Sequence, residues 1–146
     1  MTSKGDAEGI VTEVELPVPL DHHILSHPIK ESPPLVLILD RIQDPGNLGT
    51  LIRTATALDW TGVYITPTSV DPFNDKAIRA ARGATFRIPL IYDVPVTEVK
   101  RQLEKNKQQW RLLIADAKGK DINAVVQERQ SRWSKGILYF NTHELK

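Results

Sequence analysis

Apolar residues fall along this chain in two alternating patterns. Short, nearly unbroken runs rich in Val, Ile and Leu occur at 35–39, 62–66, 86–91, 111–115 and 137–140. Runs of that length and composition predict buried strands. Between them the apolar residues repeat at helical spacing. Leu48, Leu51, Ile52, Ala55 and Leu58 form one stripe, which predicts a helix over 48–59 with that face against a sheet. A second helix is predicted over 74–82, with Asn74 as N-cap and Gly83 as C′ residue. Val96, Val99 and Leu103 mark a third over 96–108, whose other face is charged, and 121–130 reads as a short helix. Strand and helix in alternation predict the α/β class: a Rossmann-like parallel sheet with helices on both faces.

Residues 1–34 break this rhythm, holding five of the ten prolines: Pro17, Pro19, Pro28, Pro33 and Pro34. They read as an extended lead-in, and 35–146 as the folded domain. At 146 residues the chain is the length of one domain, long enough to bury a core. A net charge of +1 singles out no class of partner, so local charge carries the argument. The absence of cysteine excludes disulfides and thiolate zinc sites. It fits an intracellular setting, cytoplasm or organelle, without choosing between them. No apolar run has the length of a membrane span. The polar start, with Asp6 and Glu8, matches neither a signal peptide nor an arginine-rich transit peptide. His22, His23 and His27 lack supporting Asp, Glu or Cys at ligand spacing, so no metal site is expected.

The richest stretch joins the first strand to the first helix: Asp40-Arg41-Ile42-Gln43-Asp44-Pro45-Gly46-Asn47-Leu48-Gly49, continuing to Arg53. Strand, glycine-containing loop and helix is how α/β proteins present unpaired N–H groups to anionic ligands. Neither a dinucleotide fingerprint nor a phosphate loop is present, which argues against a generic nucleotide-binding module. Asn47, after Pro45-Gly46, is an expected N-cap. Gly46 and Gly49 are expected where the backbone approaches closely or takes positive φ. Lys76, Arg79 and Arg82 recur every three residues, opposite Ala77, Ile78 and Ala81. Such a basic row suits phosphates, or is simply a solvated face. Trp60, Trp110 and Trp133 are spread too widely for a stacking platform and read as packing residues.

Asn47 and Arg53, six residues apart, resemble the first motif of the SpoU/TrmH family of RNA ribose methyltransferases, of the SPOUT class. A second block, Asp71 to Ala77 followed by Arg79-Ala80-Ala81-Arg82-Gly83-Ala84, Phe86 and Pro89, is similar to the same family. The resemblance implies S-adenosylmethionine as methyl donor and a ribose 2′-hydroxyl of rRNA or tRNA as acceptor. It implies catalytic roles for Asn47 and Arg53, and RNA contact by Lys76, Arg79 and Arg82. Thr66, Ala115 and Asp116 would contribute to the cofactor site. The family's Gly-Glu-Gly segment and later motifs, which form the knotted crossing, the main cofactor cradle and much of a homodimer interface, have no match before Lys146. The expectation is therefore a family domain incomplete at its C-terminus, with an uncovered sheet end exposing Ile114, Leu138 and Phe140. Two readings follow. One is an RNA 2′-O-methyltransferase. The alternative is a non-catalytic RNA-binding or partner-binding remnant of the same family.

Overall fold

A computed structural model of the chain describes residues 13, 15, 16, 35–105, 111–115, 119, 121 and 136–141. Strand β1, Leu35–Asp40, alternates its side chains between two covered faces, so every residue from Val36 to Asp40 is buried. Val36 and Ile38 point to one side; Leu37 and Leu39 point to the other. Helix α1 follows at Pro45–Ala57, then β2 at Gly62–Ile65 and α2 at Asp75–Ala81. Strand β3 is Leu90–Tyr92 and helix α3 is Val96–Lys105. Strands β4, Arg111–Ala115, and β5, Gly136–Asn141, complete the sheet.

All strand pairs are parallel, in the order β3-β2-β1-β5-β4. Helices α1 and α2 cover the face bearing Leu37, Leu39, Val63 and Ile65. Helix α3 covers the face bearing Val36, Ile38, Tyr64 and Ile91, chiefly through Val99. The expected α/β class, with helices on both faces, is the one observed. The order of strands reverses between β1 and β5, and parallel sheets open a crevice at the C-terminal ends of strands at such a reversal. Here those ends are Asp40 and its register partner Asn141.

Several expectations are corrected. Helix α1 starts earlier than expected because Pro45 occupies its first turn, where a missing N–H costs nothing. Its N-cap is Asp44, whose Oδ1 accepts from the Asn47 backbone N–H at 2.7 Å. Asn47 is therefore inside the helix and is not its cap. Leu58, expected on the apolar stripe, lies just past the helix end and is exposed. The predicted strand at 86–91 starts only at Leu90. Before it the chain leaves α2 through Arg82 (φ 52°) and Gly83 (φ 83°) into a 3₁₀ turn, Ala84–Phe86, which buries Ala84 and Thr85. Asn74 caps α2 as expected, accepting from the Lys76 N–H at 3.0 Å. The expected helix at 121–130, the three histidines, Trp110 and Trp133 lie outside the described residues.

Candidate functional site

The loop from β1 into α1 is sewn to the loop that follows β2. Asp40 is buried, and the Thr66 hydroxyl donates to its Oδ1 at 2.8 Å. The Arg41 N–H donates to Thr66 Oγ1 at 3.4 Å, and the Ile42 N–H to Ser69 Oγ at 3.2 Å. Gln43 Nε2 donates to the Thr68 carbonyl at 2.5 Å, and the Val70 N–H to the Ile42 carbonyl at 2.8 Å. Arg41 takes a left-handed φ of 55°, unusual for a residue with a β-carbon. A buried carboxylate needs donors to offset its lost hydration. Among the described residues Thr66 supplies one and the Arg41 guanidinium lies 3.8 Å away, so satisfying Asp40 also ties the two loops together where α1 begins.

On α1, Asn47, Thr50 and Arg53 follow one another at spacing three, and all are exposed. Because Asp44 does the capping, the Asn47 carboxamide makes no hydrogen bond with a described residue. Arg53 likewise has no ion pair among the described residues. Six residues of helix separate Asn47 and Arg53 by ~9 Å along the axis. They are not in contact and would touch different parts of an extended ligand.

Gly49 explains how α1 meets α2. A β-carbon there would lie 2.2 Å from the Ala77 carbonyl oxygen, 2.8 Å from Ala80 Cβ and 2.9 Å from Ala81 N. The close approach expected of this glycine is real, and neither Gly46 nor Gly49 has a positive φ. Arg53 stands one helical turn beyond Gly49 on nearly the same line, at the margin of the α1–α2 seam. Lys76, Arg79 and Arg82 are all exposed, while Ala77 and Ala81 are buried in the seam. Arg79 pairs with Asp75 at 2.9 Å across one exposed turn, a geometry worth little by itself. Arg82 has left the helix and caps it in the left-handed region.

The expected cofactor residues are not drawn together. Thr66 follows β2, and its hydroxyl is engaged by Asp40. Ala115 ends β4 and is in register with Phe140, Leu39 and Ile65 across the sheet. Three strand spacings, ~14 Å, therefore lie between the two positions. Asp116 lies outside the described residues. Among the described residues, no three His, Cys, Asp or Glu side chains gather as a metal site, and no helix is long and apolar enough to cross a membrane. Ile114 on β4 is exposed as expected, at 53%; the burial of Leu138 and Phe140 lies outside the description.

Sequence reasoning passed over a cleft of about 340 Å³ at the ends of β2 and β3. Phe73, Tyr92, Asp71 and Asp93 line it, with Leu16 at its edge. The Phe73 and Tyr92 rings meet edge to face at 5.5 Å. The only hint in the sequence was an aromatic residue within two positions of an Asp at two separate places, Asp71-Pro72-Phe73 and Tyr92-Asp93.

Comparison with known proteins gives this geometry a context. The model of the SpoU rRNA Methylase family matches residues 34–140. Mitochondrial rRNA methyltransferase 3 of Mus musculus is 34% identical over 109 residues, covering 75% of this chain and 25% of that protein. The 23S rRNA (guanosine(2553)-2′-O)-methyltransferase of Bacillus subtilis is 48% identical over 56 residues, covering 38% and 23%. The chain spans about a quarter of the length of these curated relatives. Among solved structures, the SpoU methyltransferase AviRb of Streptomyces viridochromogenes, in complex with AdoMet, superposes with a TM-score of 0.71. It is 24% identical, over 90% of this chain and 49% of that one, and so attests the fold.

Proposed function

The chain belongs to the SpoU rRNA Methylase family, a family of RNA methyltransferases, and we propose that it supplies the RNA-facing half of a ribose 2′-O-methyltransferase acting on rRNA or tRNA. One observation carries the reading. At the reversal point of a parallel sheet, α1 presents Asn47 and Arg53 exposed and unengaged by any described side chain, and the Gly49 contact sets the cationic row of α2 beside them.

Arginine stays protonated at any ordinary pH, so Arg53 is no general base. Its guanidinium suits a phosphate, and offsets negative charge as a nearby ribose hydroxyl loses its proton. Asn47, whose amide donors and oxygen bond no described residue, holds the acceptor ribose or the loop around it. Lys76, Arg79 and Arg82 hold phosphates without reading sequence. A homodimer and S-adenosylmethionine use complete the reading for the whole family protein. The relatives named as mitochondrial extend it to an organelle.

A second reading is RNA binding without catalysis, favoured by the separation of Thr66 from Ala115. Two measurements decide. In fluorescence anisotropy with a labelled rRNA stem-loop, replacing Lys76, Arg79 and Arg82 by Ala should flatten the slope of log Kd against log[salt] by about 2. An unchanged slope would remove RNA from that face. Calorimetric titration with S-adenosylmethionine separates the two readings: micromolar binding selects the enzyme, and RNA binding with no cofactor uptake selects the remnant.

A further inference from the structure

The cleft beyond β2 and β3 has walls of a kind different from the basic row. Phe73 and Tyr92 meet edge to face and are half-buried, so each keeps part of its ring surface open to the cleft. Phe73 is held on its other side by Phe86, with centroids 6.3 Å apart. Asp71 and Asp93 are exposed, and neither forms an ion pair with a described residue. Asp71 spends Oδ1 on the Phe73 N–H at 2.9 Å, which leaves Oδ2 free and ties the carboxylate to the aromatic wall. Asp93 follows Tyr92 directly, with a left-handed φ of 61°. The volume, about 340 Å³, lies at the small-molecule end of ligand clefts.

Two carboxylates that only accept hydrogen bonds repel a phosphate and select a ligand edge made of donors. Among flat ligands of RNA, guanine alone offers two adjacent donors, N1–H and the 2-amino group, on its Watson–Crick edge. Unpaired bases are read on that edge while stacked on aromatic side chains. The same loop runs from the cleft through Asn74 into α2, so Lys76 stands only three residues along the chain from Phe73, close enough for one RNA strand to meet both.

We propose that this cleft is a base-recognition subsite for an unpaired guanine of the RNA, stacked on Phe73 or Tyr92 and hydrogen-bonded by Asp71 and Asp93. The inference rests on the RNA reading above and adds sequence preference to a surface that otherwise reads only charge.

The test is an NMR titration of the 146-residue chain with guanosine, inosine, adenosine and N-acetylarginine amide, following the backbone amides of Phe73 and Asp93. Guanosine should shift both amides. Inosine, which lacks the 2-amino group, should bind about tenfold more weakly, and so should guanosine to Asp93→Asn or Asp71→Asn. Both variants keep the fold: asparagine tolerates the left-handed φ at 93, and its carbonyl still accepts from the Phe73 N–H. Equal shifts with every nucleoside, no shift at all, or saturation by the arginine amide alone would overturn the proposal; the last would mark a contact for a basic protein segment. Anisotropy with RNA oligomers carrying guanine or hypoxanthine in the loop separates the two levels. Binding without discrimination sinks the guanine subsite and leaves the RNA reading standing. Loss of all RNA binding with guanosine still bound does the reverse.

Discussion

Replacing Gly49 by alanine should destabilise this protein, against the ordinary rule for a helix. In an unobstructed helix interior, Gly→Ala adds about 0.5–1 kcal/mol of stability. At Gly49 the added carbon would lie 2.2 Å from the Ala77 carbonyl oxygen, roughly 1 Å inside the ~3.3 Å of the tightest C–H···O contacts. The obstacle is backbone and cannot rotate away, and Ala81 N lies behind it at 2.9 Å. Helices α1 and α2 must therefore part, loosening Leu48 and Ile52 against Ala77 and Ala81. Overpacking of this kind costs about 1–3 kcal/mol. Against the helix gain the net spans about 0–2.5 kcal/mol of loss, and a backbone clash this deep belongs in its upper part, about 1–2 kcal/mol, or a fall in Tm of roughly 3–6 °C. Urea and thermal unfolding followed by circular dichroism would measure it. Gly46→Ala is the matched control. Its new carbon would meet only Asp44 Oδ1, at 3.1 Å, the oxygen that caps α1, so any loss should stay within the ~1 kcal/mol of that cap and below that of Gly49→Ala. A Gly49→Ala protein as stable as the parent would refute the argument and mean that the two helices are not locked at this point. Because α1 carries Arg53 and α2 carries the basic row, the same variant should also weaken RNA binding.

Asp44→Ala removes the side-chain cap of α1 and should cost about 1 kcal/mol in urea unfolding, whereas Asp44→Asn keeps the acceptor and most of the stability. Tyr64 is fully buried, its hydroxyl bonds no described residue, and burial pushes its pKa up to about 12. The folded state thus holds the phenol proton more tightly than the unfolded chain, whose tyrosine titrates near 10. Stability should be intact below pH ~10 and fall by about 1.4 kcal/mol per unit from there to pH 12. Tyr64→Phe should abolish that alkaline loss and, by deleting an unsatisfied hydroxyl, add about 1 kcal/mol at neutral pH; a steep loss persisting in the variant would exonerate Tyr64. Arg82→Asn relieves a β-branch-free but still strained left-handed cap, so Tm should hold or rise slightly while the salt slope of RNA binding falls by about 0.7. Lowered stability with unchanged RNA affinity would show that Arg82 serves the fold and not the ligand.

Local periodicity made most of the fold legible. The run at 35–39 has no polar break, and the stripe from Leu48 to Ala55 has one face, so strand and helix could be read there directly. Failures came where two local signals competed. Asn47 and Asp44 both have capping side chains, and Asp44 wins because Pro45 is suited to the first helical position; the Asp-Pro pair was the deciding signal. Phe86 to Ile91 reads as an apolar strand, but two successive left-handed residues at 82–83 turn the chain into a 3₁₀ segment first. The site was legible only in parts. Arg53 and the α2 cations stand where a surface reading places them. The engagement of Thr66 by Asp40, the distance from Thr66 to Ala115 and the cleft at Phe73 and Tyr92 depend on which strands become neighbours. That order is set by long-range packing, to which residue spacing along the chain is blind.

The position of β5 bears on how such a sheet is made during synthesis. Strand β5 is the last of the described strands to leave the ribosome, yet it pairs with β1 on one side and β4 on the other. The unit β1-β2-β3 can zip as its residues emerge, since each strand finds its neighbour within the chain already made. Strand β4 emerges with no partner, and one edge of β1 waits open. At ordinary elongation rates the interval from β1 to β5 is roughly 5–20 s, far longer than hairpin or helix formation. Throughout it β1 carries an open parallel edge, joined late in the interval by the edges of β4, that any extended peptide can capture. A chaperone occupying the gap between β1 and β4, or slow codons placed after β5 and not before it, would be the natural remedy.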